Sequence, residues 1–353
     1  MPYLLLEDNT SFKGYWMSAP REAVGEVVVH TGMTGYQETL TDPASYGQII
    51  IMSYPLIGNY GVAPLVSEST RIHARGMIMQ EACDEPSHWQ ARGTLSGYLD
   101  QEGCAGLYGL DTRAVVRHLR EKGVMRGIIS ETCDEAALAK ARAFAMGDAV
   151  KMVTCADKYE IPGNGWHVAV LDVGLRRSTL DALYRHGCRI TVFPADAPVE
   201  TMLKDDPDGI MVAGGPGDPS KRAAIVESVE RLLGTRPMLG IGAGHLYMAL
   251  AVGGKTRRMS FGHCGSSLPV MKAGSLQGMM TAQNHDYEII ADSLPPEADI
   301  LYTNGQDGSV EGIALREKMA LGVAFEPPAT TGQRGDCAYE QLTAMMAQYR
   351  RTT

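Results

Sequence analysis

The chain has 353 residues, 44% of them hydrophobic and 21% charged, which is apolar material for two cores in an ordinary globular balance. A formal net charge of −9 argues against nucleic acid as a partner, because an acidic chain repels phosphate backbones. No stretch approaches the ~20 consecutive apolar residues that cross a bilayer, and the seven scattered cysteines fit neither a disulfide framework nor a zinc site, so no membrane, metal or cofactor is expected.

The first residues, MPYLLLEDNTSFKGYW, lack a basic region and a long apolar stretch. They read as a strand and turn, not a signal peptide, and the cytosol is the expected compartment. Glu26 to His30 (EVVVH) and Gln48 to Met52 (QIIIM) are β-branched runs bounded by turn residues, hence strands. Asp111 to Lys122 opens with an N-cap residue, places Val115, Val116 and Leu119 on one side and is followed by Gly123, hence a helix. An alanine-rich helix is expected over 136–145. Residues 1–146 thus form a mixed α/β domain, and 147–165, with charge, Pro and two Gly in DKYEIPGNG, reads as a linker.

From 166 to 353 the pattern becomes regular. Strands are expected at 167–171, 189–193, 209–213 and 238–241, with helices at 178–185 and 223–233. Strands alternating with helices of this length imply a doubly wound domain with a mostly parallel sheet covered on both faces. Ligands of such sheets bind beyond the carboxyl ends of the strands, which places the chemistry near Gly214 and Gly242. Gly214-Gly215-Pro216-Gly217-Asp218-Pro219 follows one strand. Gly240-Ile241-Gly242-Ala243-Gly244-His245 joins another to an apolar helix. A strand, a sharp turn and a helix are the parts of a nucleophile elbow, which lifts one side chain above the sheet beside backbone amides. They are equally the parts of an ordinary tight crossover.

The order GGPGDP, GIxxGH, FGHxG and TAQNH resembles the class I glutamine amidotransferase domain. The first half narrows the resemblance. AVGEVVVHTGMTGYQETLTDP (Ala23 to Pro43), SYPLIGNYGV (Ser53 to Val62) and LDTRAVVRHLREKG (Leu110 to Gly123) are similar to the signatures of carbamoyl phosphate synthetase small subunits. The resemblance covers nearly the whole chain. It implies a large synthetase subunit as partner and a place in pyrimidine or arginine biosynthesis.

The resemblance also exposes departures. The family places a nucleophilic Cys at the elbow tip, where its thiolate attacks the glutamine amide; this chain has Gly242. The family's His and Glu follow in a GHPE-like segment, matched here by Ala324-Phe325-Glu326-Pro327-Pro328, so Glu326 stands for the base and Pro328 for its orienting partner. No histidine follows His285. The glutamine pocket that the resemblance implies comprises Ala44, Ser45, Gly215, Gly217, Ala243, Leu246, Asn284, Asp286 and Tyr287. In it, Ala44 replaces a Ser (with Ser45 adjacent), Leu246 a Gln and Asp286 a Gly.

Three readings follow. The chain is an accessory subunit for ammonia-dependent carbamoyl phosphate synthesis that has lost glutamine hydrolysis. Alternatively Cys264, beside His263, is a relocated nucleophile, although neighbours on a strand point to opposite faces. A third reading is a repurposed pocket in which Gly242, Leu246, Asp286 and Glu326 hold another small molecule, the two acids favouring a cation. His245 and His285 read as structural, and Asp111, Arg113 and Arg117 as a solvated helix start or a partner surface.

Overall fold

The computed structural model describes residues 1–328 and 337–352. The chain divides into two compact units, Met1–Gly147 with Ser260–Ser266, and Asp148–Met259 with Ser267–Thr353.

The first unit is built on an eight-stranded mixed sheet in the order Ser11–Lys13, Tyr3–Leu6, Met125–Ser130, Ala23–His30, Gln48–Met52, Gly76–Ile78, Ala105–Tyr108, Tyr15–Trp16. The run from Ala23–His30 to Ala105–Tyr108 is parallel, and antiparallel strands flank it. Because strand side chains alternate, each strand feeds two cores. Val27, Val29, Ile49 and Ile51 pack with Val115 and Leu119 of the helix Thr112–Lys122. Val28, Ile50 and Met52 pack with Tyr36, Leu40, Leu95 and Leu99 on the other face. Asp111 caps the helix as expected, its carboxylate accepting from the Ala114 amide at 2.9 Å. Asp134 does the same for Glu135–Ala143.

The second unit holds a ten-stranded sheet. Its parallel block runs Arg189–Pro194, His167–Asp172, Gly209–Ala213, Met238–Ile241, Ala320–Val323. Tyr159–Ile161 adds an antiparallel edge to one side. On the other side, Val310–Leu315 pairs antiparallel with Ala320–Val323 and continues the sheet through Gly278–Ile289, Thr256–Lys272 and Ala298–Asn304. Ala169, Leu171, Ile210, Val212 and Met238 feed one apolar core, and Val168, Val170, Met211, Leu239 and Ile241 the other. The first is covered by the helices Ala223–Leu232 and Ala243–Ala251, the second by Arg177–Arg185 and Ala338–Thr352. This is the α/β, doubly wound arrangement that the alternating pattern predicts.

Residues 147–165 are not a bare linker. Asp148 caps a short helix, Ala149–Val153, by accepting from the Lys151 amide, and Tyr159–Ile161 is a paired edge strand. The Pro and Gly that suggest a linker mark the turn into the next strand. The expected N-terminal domain also lacks a piece taken from afar, since Ser260–Ser266 of a long hairpin strand belongs to the first unit. Among the described residues no helix is long and apolar enough to cross a membrane.

Candidate functional site

The elbow lies at the head of the second unit's parallel block. The Gly242 amide donates to the Val323 carbonyl at 2.9 Å, which fastens the turn to the neighbouring strand. Gly242 adopts φ 59°, ψ −120°, a left-handed conformation that glycine enters without steric cost. A Cβ built there meets nothing nearer than the Gly214 Cα at 3.7 Å. The backbone therefore has the tight strand-to-helix form of an elbow, with open space where a side chain would project and only a hydrogen filling it. The loops around it are equally close. A Cβ at Gly214 would lie 1.7 Å from the Gly174 carbonyl oxygen, so no other residue fits there. Asp172 shapes the Gly174 turn by accepting from the amides of Gly174, Leu175 and Cys155, and burial pushes its carboxyl pKa up.

Glu326 follows the strand Ala320–Val323, which is paired in register with Met238–Ile241 and the elbow. Its amide donates to the Ala282 carbonyl at 3.0 Å, fixing the backbone. Its Oε1 accepts from Thr179 Oγ1 at 3.1 Å and from the Tyr339 hydroxyl at 3.2 Å, while Oε2 lies 3.8 Å from Arg176 Nη1. Thr179 and Tyr339 are both buried, and burial followed by the Glu326 charge drives the Tyr339 phenol well above its ordinary pKa. A carboxylate that accepts from two hydroxyls and faces a guanidinium is not poised as an imidazole-like base. Arg176, Thr179 and Tyr339 are invisible to sequence reasoning as a group, since Thr179 is 147 residues from Glu326. Pro328 is exposed, and the Cys337 thiol donates to its carbonyl at 3.1 Å.

The other pocket residues fall into different environments. Gly215 and Gly217 both have positive φ in the loop after Gly209–Ala213. A Cβ at Gly215 would stand 3.2 Å from that of Ala243, so this loop abuts the start of the elbow helix. Leu246 is 4% exposed and belongs to the apolar core, with Ala243 beside it and Tyr287 packed against it. Asn284, Asp286 and Tyr287 are half-buried on Gly278–Ile289. In the first unit, Ala44 is half-buried and Ser45 fully buried in a single turn, Pro43–Ser45, which Asp42 caps by accepting from the Ala44 amide.

Cys264 is buried, and its carbonyl accepts from the Thr31 amide and hydroxyl. It belongs to the segment that joins the first unit, whereas Gly242 and Glu326 belong to the second. None of the seven cysteines, all of them among the described residues, is joined in a disulfide. His285 is held by Gln283 Oε1 at 3.2 Å, the Tyr287 carbonyl at 3.0 Å and Glu311 at 3.8 Å. Burial lowers its pKa, but the Glu311 carboxylate, together with the Tyr287 carbonyl and the Asp286 charge, leaves it raised. His245 is fully buried on the elbow helix, and burial pushes it down to about 3, so it is neutral.

The N-terminal signature has internal structural work. Tyr36 donates through its hydroxyl to the Gly61 carbonyl and stacks on Tyr60. Gln37 bonds Ala63 through both amide atoms and Ser67 through its nitrogen. His30 accepts from the Gly32 amide at Nδ1 and meets Thr39 Oγ1 at Nε2; Thr39 gives its own proton to the Gly35 carbonyl, so His30 is the Nε2–H tautomer.

Residues 4–129 match the carbamoyl-phosphate synthase small chain CPSase domain, and residues 169–343 match glutamine amidotransferase class-I. The carbamoyl phosphate synthase small chain of Symbiobacterium thermophilum is 44% identical over 341 residues, 93% of this chain and 94% of its own. This chain belongs to the carbamoyl phosphate synthase small-chain family. Small chains from Clostridium perfringens (40% identical, 94% of this chain and 95% of its own) and Chlorobaculum tepidum (37%, 97% of each) are also similar to it. Family membership accounts for both halves of the sequence and for the amidotransferase fold of the second.

Proposed function

We propose that this small-chain homologue has lost glutamine hydrolysis and serves as an accessory subunit to a large carbamoyl phosphate synthetase chain supplied with free ammonia, in the cytosol. The observation that carries this reading is the elbow tip, where Gly242 offers no nucleophilic atom. Glu326, in the place of the base, is held by Thr179, Tyr339 and Arg176, and Pro328 has no acidic side chain to orient a base. A covalent route without nucleophile, base or orienter forfeits many orders of magnitude in rate. The well-kept signature, with Gln37, Tyr36 and His30 all engaged in holding its loops, supports retention of a partner surface rather than decay of the whole chain. Regulation or stabilisation of the large chain is the role left for such a subunit.

A relocated glutaminase centred on Cys264 is disfavoured by the burial of that thiol. A cation bound by Glu326 is disfavoured because the carboxylate already has a cation and two hydroxyls around it. Co-expression with the cognate large chain tests the accessory role: a complex that survives size-exclusion chromatography supports it, and separate elution of the two chains removes it.

A further inference from the structure

We propose that Thr179, Tyr339 and Arg176 form a built carboxylate-binding site at the head of the second unit's sheet, and that Glu326 is its occupant, supplied by the same chain. The hydroxyls of Thr179 and Tyr339 converge on one oxygen at 3.1 and 3.2 Å, and the Arg176 guanidinium faces the other at 3.8 Å. Thr179 and Tyr339 are 1% and 0% exposed, so their protons have no bulk water to turn to. Two hydroxyl donors and a guanidinium make a donor set suited to a carboxylate.

The donors come from separate elements. Arg176 and Thr179 lie at the start of the helix Arg177–Arg185, and Tyr339 lies in the first turn of Ala338–Thr352. Tyr339 is further fixed by stacking on His186, with ring centroids 6.0 Å apart. The site is thus assembled by packing that does not depend on Glu326 alone. Removing the carboxylate leaves two buried hydroxyls without this acceptor and a guanidinium without this counter-charge, which costs more than the bonds contributed. It also leaves a hollow the size of a small carboxylate. Glu326 therefore acts as an internal ligand that closes the site to free carboxylates. The inference concerns binding, not hydrolysis, and stands or falls separately from the proposed function.

The test uses the full chain with Glu326→Ala and follows thermal unfolding while formate or acetate is titrated against chloride at equal ionic strength. The melting temperature is expected to fall by several degrees. Formate and acetate should restore most of the loss saturably, chloride should restore none, and the wild type should not respond. Adding Thr179→Val to Glu326→Ala should abolish the rescue. Should Glu326→Ala fold only in the presence of formate, that is rescue in its strongest form. Glu326→Gln, which keeps the shape, should melt below the wild type and ignore formate, because its amide fills the hollow. A Glu326→Ala or Glu326→Gln protein as stable as the wild type, or a rescue that chloride reproduces or that persists with Thr179→Val, overturns the proposal.

Discussion

The Gly242 amide and the Val323 carbonyl, 2.9 Å apart, hold the elbow tip against the next parallel strand although the tip carries no side chain. The turn is thus kept in a form that any residue but glycine enters at a cost. Gly242→Cys should fold, because the space is open to 3.7 Å. The left-handed φ of 59° should cost about 1–2 kcal/mol. Denaturant unfolding measures that cost. The variant should release no ammonia from glutamine, since Glu326 and Pro328 supply neither base nor orienter.

Stability should fall steeply in mild acid. Burial holds His30 and His73 at about 4, with Arg71 also lowering His73, and holds His245 at about 3. The unfolded chain takes up these protons near pH 6.5, while the native chain refuses them until about 4 at His30 and His73 and about 3 at His245. The stabilisation is therefore complete above pH 6.5 and lost as pH falls, by at most about 1.4 kcal/mol per pH unit for each histidine. His285, raised by Glu311, acts with the opposite sign: its contribution is present at low pH and lost as pH rises above the ordinary histidine range. Urea midpoints at pH 7.5, 6 and 5 should drop in that order, and His30→Gln should flatten the decline.

The signature residue Gln37 should matter to stability rather than to chemistry. It closes a two-way bond with Ala63 at 2.8 Å in each direction and reaches Ser67 at 2.9 Å, from a side chain that is itself buried. Gln37→Ala leaves the Ala63 amide and carbonyl without these partners and should cost about 2–3 kcal/mol. The check is a chemical melt of the full chain, with proteolysis of the 53–67 loop expected to quicken in the variant.

Much of the architecture is readable from local residue patterns. β-branched runs such as QIIIM mark strands, Asp111 and Gly123 bracket a helix, and the alternation after 166 gives the doubly wound unit. The missing side chain at Gly242 is equally plain in the sequence, because one position decides it. What escapes local reading is set by distant packing. The paired strand Tyr159–Ile161 finds its partner in Ile190–Val192, beyond the next strand and helix, and Ser260–Ser266 joins a unit that otherwise ends at Gly147. Leu246 enters the pocket only through the resemblance, and its burial among core side chains is settled by the sheet beneath the helix. The partners of Glu326 come from two helices that only the fold brings to one carboxylate.

The most direct test of the central claim is nitrogen-donor kinetics on the complex with the cognate large chain. Carbamoyl phosphate should form with ammonium, and glutamine should give no more than background, with no glutamate released. A glutamine-dependent rate well above background, accompanied by equimolar glutamate and traced to this polypeptide, would contradict the account.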